Sequence, residues 1–313
     1  MMEHVPVFLE EVTSLLPIHP NGIYVDLTIG RGGHAKAILA KLTNGRLIGV
    51  DQDATAIEAL KPLLASEPRL TLMHQSFDHI PSILNELGID HIHGVLMDLG
   101  VSSPQFDTPE RGFSYRFDGP LDMRMDQRQK ETAASILATY DVRQLSHIFQ
   151  AYADETFAYP LAKAIVAHRQ HTPIQTTFEL VELIKQTKPK KALMKKGHPA
   201  KQVFQALRME VNQELQRLEA TLKALEPFVI QKGRIAVISF HSTEDRVVKT
   251  IFRSWTVVEG DRHGPALRPE EIPQPTFCEV KPYPIKPSFS EKERNPRSES
   301  ATLRVVERIA YAA

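Results

Sequence analysis

Between Ile23 and Asp98 the chain repeats one pattern four times: a short apolar run, a turn, then a helical stretch. Ile23-Tyr24-Val25-Asp26-Leu27, Leu47-Ile48-Gly49-Val50-Asp51, Leu70-Thr71-Leu72-Met73 and Val95-Leu96-Met97-Asp98 read as strands. Helices are expected over 34–42, over 54–64 and after Asp78. Strands apolar on both faces need cover on both faces, and right-handed helical crossovers supply it. The pattern therefore predicts a Rossmann-like α/β fold with a parallel, doubly wound sheet.

The alternation then stops. Residues 133–153, 157–169 and 178–187 read as helices, the last opened by a capping box from Thr176 to Glu179. Val203, Leu207, Val211, Leu215, Leu218, Leu222 and Leu225 recur at steps of three and four, which predicts one long amphipathic helix. A strand at 235–238, a helix from about Glu244 capped by Ser242 or Thr243, and an extended segment at 302–309 resume the sheet. Residues 1–105 and 202–313 thus form one expected domain, interrupted by a helical insert at 106–201.

The 38 basic and 38 acidic residues give a formal net charge of zero, so any nucleic-acid partner must be met by a local patch. Lys185, Lys188, Lys190, Lys191, Lys195, Lys196 and Lys201 form the densest basic stretch, suited to tracking phosphates or to lying solvated in a loop. No apolar run approaches a membrane span and no secretory signal pattern opens the chain, so a cytoplasmic protein is expected. The single cysteine, Cys278, excludes an internal disulfide. His74, His79, His91 and His93 lack metal-ligand spacing, so no metal is expected.

The first strand passes into its helix through Asp26-Leu27-Thr28-Ile29-Gly30-Arg31-Gly32-Gly33-His34. Glycines let the backbone turn sharply and approach a ligand, and the helix start offers unpaired N–H groups. Asp51 ends the second strand 18 residues after Gly33, where a carboxylate can accept from ribose hydroxyls. An adenosine-containing cofactor is expected, of nicotinamide or S-adenosylmethionine type. A nicotinamide site would carry G-x-G-x-x-G with its helix start facing a pyrophosphate. Here no glycine follows Gly33 at that spacing, and Asp26 adds a carboxylate that suits a cationic sulfonium and amine better.

The string Asp98-Leu99-Gly100-Val101-Ser102-Ser103-Pro104-Gln105 brings a resemblance into view. It stands with His4-Val5-Pro6-Val7, the 28–34 turn, Arg111-Gly112-Phe113-Ser114, the run from Asp118 to Asp126, and Ser239-Phe240-His241-Ser242. Together these strongly resemble the bacterial ribosomal RNA small-subunit methyltransferase H family, from about His4 to Arg308. The resemblance implies a Rossmann-like class I S-adenosylmethionine methyltransferase sheet with an inserted helical domain. It also implies N4-methylation of a cytidine in the decoding centre of 16S ribosomal RNA, the partner being that RNA within the small subunit. By matched position it implies cofactor contacts at Gly32, Gly33, His34, Asp51, Phe77, Asp98 and Gln105. Thr243, Glu299 and Thr302 depart from the family pattern.

Cytosine N4 is a poor nucleophile because its lone pair is delocalised into the ring. Acceptors that draw on its protons would favour transfer, and positioning would supply most of the rate. Asp98, Ser102 and Ser103 are the candidate catalytic residues; a turn held by the serines is the plainer reading of that pair. Asp122, Arg124 and His241 are candidate substrate contacts. The alternating charges of Asp122, Arg124 and Asp126 fit a local ion-pair network equally well. Phe106, Phe113, Tyr115 and Phe117 could stack on a displaced base or pack the insert.

Overall fold

The computed structural model describes residues 6–257 and 274–309; His4 and Val5 of the quoted motif lie outside them. In chain order the elements are α1 (Leu9–Leu15), β1 (Ile23–Asp26), α2 (Gly33–Leu39), β2 (Arg46–Asp51), α3 (Ala54–Ser66), β3 (Leu70–His74), α4 (Ile80–Glu86) and β4 (Ile92–Asp98). The helices α5 (Ser103–Asp107), α6 (Ala133–Thr139), α7 (Val142–Ala153), α8 (Ala158–His168), α9 (Thr177–Thr187), α10 (Lys190–Leu193) and α11 (Lys201–Val211) follow. The chain then runs through α12 (Glu214–Leu225), β5 (Val229–Ser239), α13 (Ser242–Thr256), β6 (Phe277–Glu279), α14 (Phe289–Arg294) and β7 (Thr302–Arg308).

These elements form two compact units, one of residues 1–100 with 215–313 and one of Val101–Glu214. The second is wider than the 106–201 insert expected from sequence, because α5 and α11 belong to it.

In the first unit the seven strands are ordered β3-β2-β1-β4-β5-β7-β6. The five from β3 to β5 are parallel, while β7 runs antiparallel to β5 and β6. This is the Rossmann-like α/β sheet expected. Its strands are apolar on both sides because helices cover both: Val25, Ile48, Val95, Ile235 and Val237 pack with Leu218, Leu222, Leu225, Val248 and Phe252 on one face, and Tyr24 and Leu47 pack with Ile38, Leu39 and Leu60 on the other.

The second unit is helical. Leu145, Ile148 and Phe149 of α7 pack with Leu161, Ala162 and Ile165 of α8 and with Leu180 and Ile184 of α9. Val203, Phe204 and Leu207 of α11 join the same core.

Three sequence readings need correction. The helix expected over 133–153 is two helices, since Asp141 caps α7 and accepts from the Gln144 N–H at 2.8 Å. The long helix expected through 203–225 breaks at Asn212–Gln213, where Gln213 takes φ 49°. Its apolar steps of three and four continue across the break, so periodicity could not reveal it. The cap of α13 is His241 rather than Ser242 or Thr243.

Candidate cofactor site

The sheet brings three aspartates to one edge. β1 lies between β2 and β4, and Asp26 stands in register with Gly49 on one side and Leu96 on the other. Asp51 and Asp98 therefore each lie two residues beyond Asp26 on the flanking strands. An even offset keeps side chains on the same face of a sheet, so all three carboxylates leave its carboxyl edge on one side. That edge, where the chain order reverses between β1 and β4, is where open α/β sheets hold ligands.

Side-chain oxygens hold the turn after β1 in place. Asp26 Oδ1 accepts from the Thr28 N–H at 3.2 Å, and Thr28 Oγ1 accepts from the Asp98 N–H at 2.6 Å. Asp51 Oδ2 accepts from the Gly30 N–H and Asp51 Oδ1 from the Asp53 N–H, each at 2.9 Å. The turn thus binds the ends of β1, β2 and β4 together. Gly32 has φ 76°, and a Cβ there would lie 2.7 Å from Leu60 Cδ2. At Gly33 a Cβ would lie 2.2 Å from Pro6 Cγ, so the start of α2 is packed directly beneath the N-terminal segment. His34, in the first turn of α2, is buried with Nε2 3.8 Å from Asp98 Oδ2.

Acid crowding sets the electrostatics. Burial, offset in part by the Thr28 N–H and reinforced by Asp51, pushes Asp26 up to about 7. Burial pushes Asp51 to about 6 against the pull of its two backbone donors. Asp98 is pushed to about 8 by burial first, then by Asp26 and Glu244. Its side chain keeps 28% of its surface exposed, so water or a ligand can reach it. Its Oδ1 is nonetheless buried without a hydrogen-bond partner. A pyrophosphate would be repelled here. A ligand that brings cationic groups and hydroxyl donors would relieve the repulsion, which S-adenosylmethionine does with its ammonium, sulfonium and ribose.

The MraW methylase family matches residues 1–309. The chain belongs to that family. It is 44% identical to the ribosomal RNA small subunit methyltransferase H of Halothermothrix orenii, over 99% of both chains. It is 46% identical to the protein of the same name from Mesoplasma florum, over 98% of this chain and all of that one (100%). A solved rRNA methylase from Streptococcus thermophilus is 9% identical over 99% of both chains with a TM-score of 0.44, too distant to argue from. The cofactor of this methylase is S-adenosylmethionine.

Other candidates of the MraW fold fall at different places. Phe77 is buried in the sheet core beside Val25, Ile48 and Val50. His241 caps α13 in a reciprocal box with Glu244, whose Oε2 accepts from the Phe240 N–H at 2.8 Å and the His241 N–H at 3.1 Å. The sequence marked Glu244 only as the start of this helix. The box was hard to see because histidine is not a usual cap. Arg217 of α12 also went unnoticed: its guanidinium donates to Gln52 Oε1 at 3.1 Å and Ser76 Oγ at 3.3 Å, just past β2 and β3.

Ser102, Ser103 and Gln105 belong to the helical unit. Ser102 caps α5, its hydroxyl accepting from the Gln105 N–H while Gln105 Oε1 accepts from the Ser102 N–H at 3.0 Å. Asp122 and Arg124 engage each other, with Nε–Oδ1 at 2.8 Å and Nη2–Oδ2 at 2.6 Å. Arg124 also donates to the Gln129 carbonyl at 2.8 Å. Phe113 is buried in the helical core. Lys188 is withdrawn from the basic stretch into a buried ion pair with Glu155 at 2.6 Å. Among the described residues no group of His, Cys, Asp and Glu side chains could hold a metal ion, and no helix is long and apolar enough to cross a membrane.

Proposed function

We propose that this cytoplasmic methylase transfers a methyl group from S-adenosylmethionine to N4 of a cytidine in the decoding centre of 16S ribosomal RNA, within the small ribosomal subunit. The observation that carries the cofactor half is the acidic edge: Asp26, Asp51 and Asp98 gathered on one side of the β1–β4 switch. The 44% and 46% identities to proteins named for the small-subunit RNA support the substrate half.

S-adenosylmethionine supplies a methyl group activated by its sulfonium. The protein's own residues have separate tasks. Each Asp51 oxygen already takes one backbone N–H and keeps a lone pair for a ribose hydroxyl. Gly32 and Gly33 keep the chain close beside it, and Phe77, which keeps a sliver of exposure, offers an apolar edge to adenine. Asp26 and Asp98 balance positive charge. Asp98 Oδ1 is left to accept from the amine being methylated, which localises the N4 lone pair. On the first unit His241 contacts the nucleotide; on the helical unit Ser102 and Ser103 offer acceptors, and Asp122 and Arg124 contact the RNA. The Val101–Glu214 unit holds the RNA. No strong base is required, since the methylated amine loses its proton readily once transfer has occurred.

Labelled S-adenosylmethionine incubated with small subunits that lack the modification, followed by nucleoside mass spectrometry, tests this directly. The expected product is N4-methylated cytidine. Label on another base, or on protein, overturns the reading.

A further inference from the structure

The helical unit carries a surface that its packing does not explain. Phe117 and Phe178 are large aromatic side chains left 49% and 44% exposed. Hydrogen bonds hold together the two backbone segments that carry them. Thr177 Oγ1 donates to the Phe117 carbonyl at 2.7 Å, and Asp118 Oδ1 accepts from the Phe178 N–H at 3.2 Å. The first turn of α9 therefore clasps the 117–119 loop, and both rings stay in solvent. Burying either ring would be favourable, so a fixed exposed pair marks a contact surface.

The surroundings name the contact. Phe178 and Lys185 stand seven residues apart on α9, nearly two full turns, and so share its exposed face. Tyr115 stacks on His198 with centroids 4.3 Å apart and planes within 8°. Lys185 and Arg116 are close enough to His198 to disfavour its charged form, after burial itself. Four aromatic rings thus lie among Arg116 and Lys185, with the exposed Lys190 and Lys191 of α10 following in the chain. The acids nearby are occupied. Asp118 is held by backbone donors, and the exposed pair of Lys185 with Glu182 at 2.7 Å is weak enough for a phosphate to take Lys185 over. Rings interleaved with cations suit a single-stranded nucleic acid, whose bases stack while its phosphates meet the charges.

We propose that Phe117, Phe178, Tyr115 and His198 form a stacking face for single-stranded RNA, with Arg116 and Lys185 on its phosphates. This rests on the reading of the chain as an RNA methyltransferase and adds where the RNA lies beyond the target base.

The test compares the wild-type chain, the double variant Phe117→Ala/Phe178→Ala and the conservative Phe117→Trp/Phe178→Trp. Each is titrated with a short fluorescent single-stranded RNA and assayed for methylation of small ribosomal subunits. Both rings are exposed, so the variants should keep the wild-type melting temperature and S-adenosylmethionine affinity. The alanine pair should weaken RNA binding about tenfold or more and raise KM for the subunit. Its kcat should stay near wild type, and the tryptophan pair should retain binding. Unchanged RNA affinity in the alanine pair overturns the proposal, as does lost subunit binding with normal RNA affinity, which would indicate a ribosomal protein as the partner. A wild-type enzyme that binds the RNA but methylates no subunit would instead refute the reading of function and leave the stacking face standing.

Discussion

Glu291 Oε1 accepts a hydrogen bond from the Phe8 backbone N–H at 2.6 Å across 283 residues of chain. Phe8 sits in the left-handed region at φ 57°, which an L-residue adopts only when its surroundings enforce it. Both residues are buried. The C-terminal α14 therefore fixes the segment that carries Pro6 onto Gly33, at the start of the cofactor turn. Removing the acceptor in Glu291→Ala strands a buried N–H and should cost about 1.5–3 kcal/mol in urea unfolding. It should also weaken S-adenosylmethionine binding, while Glu291→Gln, which keeps an acceptor oxygen, restores much of both. Amide exchange at Phe8 would report the loosening directly.

Asp26, Asp51 and Asp98 make the chain's stability depend on pH in an unusual direction. Each is raised above its ordinary value of 3.8, so the folded state holds protons more tightly than the unfolded chain. That stability is complete at low pH and is lost as pH rises from about 4 through about 8, the highest of the three. Cofactor binding runs the other way, because cationic groups need the ionised carboxylates. Thermal melts of the ligand-free chain should thus fall from about pH 5.5 to about pH 8, and the stabilisation by S-adenosylmethionine should grow over the same interval. A stabilisation independent of pH would contradict the acidic edge as the cofactor's charge partner.

Asp98→Asn isolates one member of that edge. It removes the repulsion from Asp26 and Glu244, so the ligand-free variant should melt higher than wild type near pH 8 and about equally near pH 5. Losing a charge-assisted contact should weaken cofactor binding tenfold to roughly a hundredfold. Calorimetric titration and paired melts measure both effects. A variant that lost stability as well as binding would show that Asp98 holds the fold rather than the ligand.

The strand–helix repeat made the sheet legible because each strand is an unbroken apolar run closed by an aspartate or a turn. The same closing positions exposed Asp26, Asp51 and Asp98, since a carboxylate at the end of an apolar run has no packing role there. Other features carried no local signal. The break at Gln213 leaves the apolar spacing intact, so Val203 to Leu225 looked continuous. His241 as a cap lacks the usual hydroxyl or carboxylate, and Ser242 and Thr243 beside it were better lures. The bond between Glu291 and Phe8 depends on chain ends that only the fold brings together. Asp122 and Arg124 were visible as alternating charges, but spacing alone could not show that they grip each other.

Gly32→Ala should perturb the turn without touching any charge. At φ 76° an alanine is strained, and its Cβ would press on Leu60 Cδ2 at 2.7 Å. About 1–2 kcal/mol of destabilisation is expected from the backbone alone. Weaker S-adenosylmethionine binding should accompany it, because the Asp51–Gly30 bond sits in the same turn. Chemical denaturation with and without cofactor separates the two.

Ser102 raises the question of whether a cap can also act on the substrate. Its hydroxyl already accepts the Gln105 N–H at the start of α5, so Ser102→Ala should cost about 1 kcal/mol of stability. Ser102→Gly caps a helix almost as well without a side-chain acceptor and should recover all but roughly a few tenths of a kcal/mol of that stability. If the hydroxyl also orients the cytosine amine, single-turnover methyl transfer will stay slow in Ser102→Gly even though the fold has recovered. A wild-type transfer rate in Ser102→Gly would make Ser102 a cap and nothing more. Ser103→Ala at the first helical position, where capping is not at stake, then becomes the cleaner measurement: its expected result is slower transfer at unchanged melting temperature and unchanged cofactor affinity.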